Sequence, residues 1–555
     1  MRQNIAVAAV AVGITFVLLG LGQGPFPEVR LHAQQAGSIA PPRREARSLD
    51  AQSAAIPAPK TAATAFMDSR QALSPSQLAS SRLDFDRLSV TWQGRRAGVI
   101  TADPAAGPPA GSEVVLHESP AEGSDAAGSL VSRVMPLSPN AFGLAVRMVA
   151  EPALAVGDSA WWLTGNWFAA RSTDEGATWT YANPYADFAT FASDQDAVYD
   201  PHRRLFLWYR QGGLLPGRLE NSLRLSVSSD AAASWCTYSL RPSEVDPSWN
   251  TASFDYPHLA LSDNHLYVSS MLVEAGGGFA SPRMVLFRLP LNELGECSAF
   301  RFNYWTTDEG WSWTPVENGA TTAMFLGDTL DPGGNRATGT FRLYVQPENT
   351  TALYYFDREV PAWTFTERTG FCPVLGGGNP CGRSDGRITS GWVRRQNGRG
   401  EIGFLWNVRE GGGFPHPYIN AVTFDEETLS VTGRPMLWDV KCAWQYGAAA
   451  PNGDSVGIAA FHFCSSQPPA HAVGVAAASG GQARWTMTYS RIGTVATSTV
   501  IWGDYIRARA SGSGYLATGY TIGEIGAEPF VVRFVSARPG RFDEEIQPPL
   551  HNPRN

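Results

Sequence analysis

From position 151 onward, short apolar runs alternate with turns rich in Gly, Asn and Asp, and the runs come in pairs. The pairs are 151–156 with 160–164, 196–199 with 205–209, 255–261 with 266–270, and 321–326 with 341–345. They continue as 389–393 with 402–406, 446–450 with 456–461, and 504–509 with 515–520. Short runs bounded by turn residues predict strands, and two runs joined by a tight turn predict a hairpin. A four-stranded propeller blade needs about 40–50 residues, and insertions lengthen it. The repeat therefore predicts an all-β propeller spanning 145–540, with seven blades, or six if the weak fourth pair is discounted. A last apolar run, 530–535, is placed to complete the final blade.

The chain before the repeat changes character three times. Residues 1–33 read as an export segment: Arg2 gives a positive start, 5–22 is apolar without a charge, and Leu31-His32-Ala33 offers a cleavage site. Uncleaved, the same run is nearly long enough for a membrane anchor. Residues 34–80 are rich in Ala, Pro and Ser without hydrophobic periodicity, which predicts a disordered linker. Residues 81–144 hold two strand-like runs, 88–92 and 113–116, around a Gly/Pro-rich turn, and predict a flanking β segment. Residues 541–555 are a tail.

One stretch is specified far more tightly than the rest. Ser172-Thr173-Asp174-Glu175-Gly176-Ala177-Thr178-Trp179 places an Asp to cap its own turn, a Gly for a left-handed backbone angle and a Trp to drop between strands. Ser228 to Trp235 keeps the Ser, Asp and Trp but has Ala232 at the Gly position. Thr306 to Trp313 keeps the Asp, Gly and Trp. These residues resemble the Asp-box (BNR) repeat of sialidase-like β-propellers, where the box is structural and lies away from the active site. The resemblance implies the fold and stops short of the reaction. That family carries an R-I-P motif on its first inner strand, whose Arg binds the substrate carboxylate. Here Ala150-Glu151-Pro152 stands in that place, so a sialic acid hydrolase is disfavoured. Phe287-Arg288-Leu289-Pro290 matches the motif literally but falls in the third repeat and reads as coincidence.

A net charge of −8 over 555 residues disfavours a nucleic-acid surface. Six cysteines behind an export segment predict disulfides. Six allow 15 pairings; closeness in the chain favours Cys236 with Cys297, Cys372 with Cys381 and Cys442 with Cys464. No spacing resembles a metal site, and no cofactor fingerprint stands in a credible context.

In a propeller the innermost strands surround a central channel, so polar residues near their beginnings are the candidates for chemistry. Glu151, Asp196, Asp255 and Asp504 form the pool for paired carboxylates, with Asp194 in the same polar set. Tyr256, His258, Arg387, Trp444, Tyr446, Trp502 and Tyr505 are candidates for holding substrate. Strand alternation predicts that Asp504 and Trp502 face the channel and that Tyr505 packs between blades. The competing reading makes these groups hydrogen-bonded staples of the ring. Trp161, Trp162, Trp167, Trp208 and Trp406 are candidate sugar platforms or inter-blade packing.

Three functions stay open. The first is a glycoside hydrolase-like protein acting on extracellular glycans. The second is a polysaccharide lyase using Tyr505 or His258 as base beside Arg387. The third is a binding or cell-surface scaffold without catalysis. In each, the expected partner is an extracellular glycan or polysaccharide, the expected state is a monomer, and membrane contact comes only through an uncleaved N-terminal segment.

Overall fold

Seven sheets, taken in chain order and antiparallel except for the parallel outer strand Val115–His117, form the seven blades of a β-propeller in the computed structural model. It describes residues 47–66, 115–117, 130–137, 150–274, 283–310, 312–329, 338–363, 370–396, 398–477, 485–496, 502–523 and 526–536. The expected export segment and tail, the run 88–92 and the 103–111 turn lie outside these residues.

The seven innermost strands are Ala153–Val156, Phe191–Asp200, Ala252–Leu261, Thr314–Pro315, Ile388–Gln396, Ala443–Asn452 and Ala508–Ser511. Blades stack face to face, so their central strands are covered on both sides. Leu205–Gly212, the second strand of blade 2, is buried at all eight positions. This is why the repeats read as continuous apolar runs without the alternation of a half-exposed sheet. Small residues set the spacing of blades 6 and 7: a Cβ on Gly457 would lie 2.5 Å from the Tyr515 ring. The tryptophans fill the gaps between blades. Trp162, Trp208 and Trp235 form a trio between blades 1 and 2 with centroids 4.9–5.3 Å apart. Trp406 packs on Trp363 and Phe341.

Two Asp boxes share one hydrogen-bond pattern between third and fourth strands. Asp174 accepts from the Thr178 N–H at 2.8 Å, and the Gly176 N–H donates to Ser172 Oγ at 2.8 Å. In blade 2, Asp230 accepts from the Ser234 N–H at 2.9 Å, and the Ala232 N–H donates to Ser228 Oγ at 3.0 Å. The third copy differs. It follows Phe300–Thr307, the fourth strand of blade 3, and leads to the inner strand of blade 4, so it joins blades instead of closing a hairpin.

The fourth repeat also departs from expectation. The runs near 321 and 341 are the second and third strands of blade 4, Ala323–Asp328 and Thr338–Pro347. Its innermost strand, Thr314–Pro315, is only two residues long.

The segment expected to be an unstructured linker contributes strands. Arg47–Asp50, Gln52–Ile56 and Lys60–Ala63 add an outer fifth strand to blades 4, 3 and 2 in turn. Edge pairing needs only backbone N–H and C=O groups, which a segment without apolar periodicity still has. Val115–His117 joins the outside of blade 6. Blade 7 takes three strands from the C-terminal end and its outermost one, Leu130–Pro136, from before the ring. The run 530–535 is thus the third strand of that blade, within Gly526–Ser536.

All three disulfides join the cysteines paired by chain proximity: Cys236 with Cys297, Cys372 with Cys381 and Cys442 with Cys464. The first ties blade 2 to blade 3. Among the described residues, no helix is long and apolar enough to cross a membrane.

Candidate functional site

The starts of the inner strands are irregular where they meet the channel. The ladder shifts register between Phe191 and Gln195, Asp255 and His258, Ile388 and Ser390, and Gln445 and Ala448. Glu151, Tyr256 and Tyr446 have positive φ of 41°, 54° and 58°. Such angles cost a non-glycine residue about 1–3 kcal/mol each and persist where the surroundings impose them. Bulges of this kind re-aim side chains. Here they turn polar groups of several blades toward the axis.

Those groups form two layers. In the deeper one, Arg507 donates to Asp196 at 2.8 Å and pairs with Glu317 at 3.2 Å. His258 Nδ1 lies 3.1 Å from Glu317, and Ser390 donates to the same carboxylate at 3.4 Å. Side chains of blades 2, 3, 4, 5 and 7 therefore meet in one network. Asp196, His258, Glu317 and Arg507 expose nothing of their side chains to solvent. Burial works against charge on Asp196, yet the Arg507 guanidinium holds its carboxyl below the usual range. Burial pushes the His258 imidazole down, so it sits neutral against Glu317. This layer is a staple across the ring, and it includes two residues expected at the site, Asp196 and His258. Their side chains are closed off from solvent.

The outer layer reaches solvent. Asp194, Asp255 and Asp504 are each partly exposed. Glu151 accepts the Asp504 backbone N–H at 2.8 Å and Asn166 Nδ2 at 2.8 Å. Gln211 donates to Asp255 at 3.1 Å. Arg387 donates to Asp385 at 2.8 Å and to Asp504 at 3.2 Å, with its guanidinium 3.8 Å over the Tyr256 ring. Desolvation pushes the Asp194 carboxyl well up, and the charges of Glu151, Asp255 and Asp504 push it further. Desolvation also raises Asp255 and Asp385, against the nearby Arg387. Tyr505 lies between the layers, its ring 5.9 Å from Tyr256 and 6.0 Å from His258.

Of the expected residues, the structure brings Glu151, Asp255, Asp504, Tyr256, Arg387 and Tyr505 together around this mouth. Trp502 goes elsewhere: it stacks on Tyr520 at 4.8 Å within the blade core beside Phe461. Trp444 is buried against His462 at 4.2 Å. Tyr446 is buried too, with its hydroxyl donating to Pro380 O at 3.3 Å. The alternation argument failed for Trp502 and Tyr505 because 502–507 is irregular and the strand begins at Ala508. Asp194 takes the place foreseen for Asp196, since two residues along a strand move a side chain about 6–7 Å in depth. Asp385, Glu317 and Arg507 were missed. Glu317 and Arg507 stand beside inner strands of two and four residues, where hydrophobic pattern carries little signal, and Asp385 lies in the irregular run before Ile388. Arg288 of the literal R-x-P match lies on the third strand of blade 3 and bonds Asn303 and the Thr350 carbonyl.

No protein-family model matches the chain, and no curated protein matches its sequence. Solved structures are similar at low identity. One is an α-L-arabinanase of Penicillium chrysogenum complexed with arabinobiose: 11% identity, 74% of this chain and 99% of that one, TM-score 0.35. Another is a Trypanosoma rangeli sialidase with 2,3-difluorosialic acid: 8% identity, 73% of this chain and 59% of that one, TM-score 0.32. A third is a family 25 polysaccharide lyase, an ulvan lyase bound to a glucuronate–sulfated rhamnose unit: 8% identity, 71% and 94% coverage, TM-score 0.39. Similarity this low carries no inference about activity.

Proposed function

We infer that the protein is an exported propeller that binds and hydrolyses extracellular carbohydrate at the channel mouth. The observation that supports this most is the state of Asp194. Its carboxyl is pushed well above the ordinary range by burial and by the negative charges of Glu151, Asp255 and Asp504, and the residue is partly exposed. Glycoside hydrolysis needs a carboxylic acid to protonate the leaving oxygen and a second carboxylate to act as base or nucleophile. Environments that separate carboxyl pKa values make that assignment. Asp194 takes the acid role, and Asp255, raised less and next to Arg387, takes the second. Asp504, partly exposed, is placed to accept from a sugar hydroxyl. Three disulfides support maturation in an oxidising compartment, and the N-terminal apolar run supports export.

The lyase reading has less support. Its base would be His258, locked to Glu317 out of reach of solvent, or Tyr505, whose phenol is pushed well up by burial and by Asp194. Incubation with a panel of neutral, amino and uronic-acid glycans tests the proposal. New reducing ends without ultraviolet-absorbing unsaturated ends are expected. Unsaturated ends would instead identify a lyase, and binding without cleavage would identify a scaffold.

A further inference from the structure

The mouth is dominated by hydrogen-bond acceptors. Glu151, Asp194, Asp255, Asp385 and Asp504 bring five carboxyl groups to it. Among the described residues, the guanidinium that meets them is Arg387, held between Asp385 and Asp504. The deeper layer does not share this excess, since Arg507 there answers both Asp196 and Glu317.

Two buried side chains beside Asp255 have polar atoms without a protein partner. Gln211, 8% exposed, gives an amide N–H to Asp255, and its Oε1 has no donor. The Tyr209 hydroxyl has no partner either, on a fully buried ring in the field of Asp194 and Asp255. Buried polar atoms are normally satisfied, so the Gln211 oxygen beside Asp255 stands ready for a donor from a bound molecule. As an amide oxygen it only accepts.

We propose that the mouth takes a cationic unit of a glycan, the ammonium of an amino sugar, between Asp255 and the Gln211 amide oxygen. This rests on the carbohydrate reading above and adds the charge of the bound unit. An ammonium offers three donors and one positive charge, which meets the unpartnered acceptor and the carboxyl excess at once. A uronate would bring another negative charge to a place where desolvation strengthens repulsion. Arg387 could bind it only by releasing Asp385 or Asp504. A metal ion fits less well. Calcium wants six to eight oxygens, whereas both Glu151 oxygens already accept N–H groups and Asp504 is held by Arg387. Among the described residues, ligand atoms of three acidic, His or Cys residues converge within 4.8 Å only at Cys442, His462 and Cys464. There the disulfide occupies both sulfurs.

Isothermal titration calorimetry of the whole protein tests this with four probes. They are a glucosamine oligomer, its fully N-acetylated counterpart, an oligogalacturonate of the same length, and calcium chloride. The glucosamine oligomer should bind at least tenfold tighter than the acetylated one, with no uronate binding. Asp255→Asn should weaken it tenfold or more at unchanged Tm. Gln211→Leu, which removes the acceptor without touching a charge, should weaken it severalfold and stands in if Asp255→Asn does not fold. Equal binding of the acetylated oligomer would overturn the cationic unit and leave the carbohydrate reading intact. Calcium binding with no oligosaccharide binding, or no binding of any probe, would overturn both.

Discussion

Glu151 and Asp504 lie 353 residues apart in the chain, and the Glu151 carboxylate accepts the Asp504 backbone N–H at 2.8 Å. The first and seventh blades are therefore joined at the mouth by a contact that exists only once the ring is closed. Asn166 holds the second Glu151 oxygen. Glu151→Gln would set an amide NH2 against one of these donors. It is expected to cost about 1–3 kcal/mol, the penalty for a buried group left unsatisfied, read from the midpoint of urea unfolding.

The two neighbouring aspartates of blade 2 should respond in opposite directions. Asp194 has a folded-state pKa raised by burial and by three carboxylates, so its contribution to stability falls as pH rises above the ordinary carboxyl range. Asp194→Asn removes that loss. At neutral pH it should stabilise by about 0.5–2 kcal/mol, as relieved functional sites do, and the gain should vanish at pH 4 and below. Glycan hydrolysis should be lost in the same variant.

Asp196 has its pKa lowered by Arg507, so its stabilising contribution is present above the ordinary carboxyl pKa and disappears as pH falls through the lowered value. Asp196→Asn leaves Arg507 with less compensation inside the ring. The expected cost is about 3–5 kcal/mol, that of breaking a buried pair, measured by denaturant unfolding at pH 7. Thermal scans should show the wild type losing stability as pH falls through that lowered range.

The Asp boxes should matter for stability and leave chemistry alone. Asp174→Ala and Asp230→Ala each remove several hydrogen bonds that close a turn. A loss of about 1–2 kcal/mol each is expected, similar to the loss of a helix cap. Glycan affinity should stay within twofold, because neither turn approaches the channel residues.

Disulfide removal should scale with the loop each bridge closes. Chain entropy predicts about 4 kcal/mol for Cys236–Cys297 and about 2.5 kcal/mol for Cys372–Cys381, whose separations are 61 and 9 residues. Paired Cys→Ser variants, compared by urea midpoint, check the order.

The repeats made the ring legible in the sequence because central strands buried on two faces leave unbroken apolar runs, as Leu205–Gly212 does. The inner strand of blade 4 left no such mark in two residues. Glu317, just beyond it, was lost with it. The site was legible in part. Glu151, Asp255, Asp504 and Arg387 are polar residues at the beginnings of inner strands, and position alone picked them out. Depth was not legible: Asp194 and Asp196 point toward the same axis, and what separates wet acid from dry staple is Arg507, remote in sequence and outside any strand. Trp502 and Tyr505 changed places for a similar reason, since alternation presumes a ladder that 502–507 does not form.

The outermost strand of blade 7 carries a consequence for the time course of folding. Leu130–Pro136 is synthesised before the inner strand of any blade, and its partner, Gly526–Ser536, comes near the end of the chain. Each earlier blade can pair its own four strands as it emerges, whereas the last waits for a strand made long before. Contacts so distant in sequence form slowly, since loop closure must precede any gain from them. Until then Gly526–Ser536 keeps an open strand edge, a template for a wrong partner. Refolding from urea should accordingly show a slow final phase, in which the Glu151–Asp504 contact and glycan binding appear together, after most β structure has formed. Deletion of Leu130–Pro136 should abolish that phase and leave a protein that self-associates.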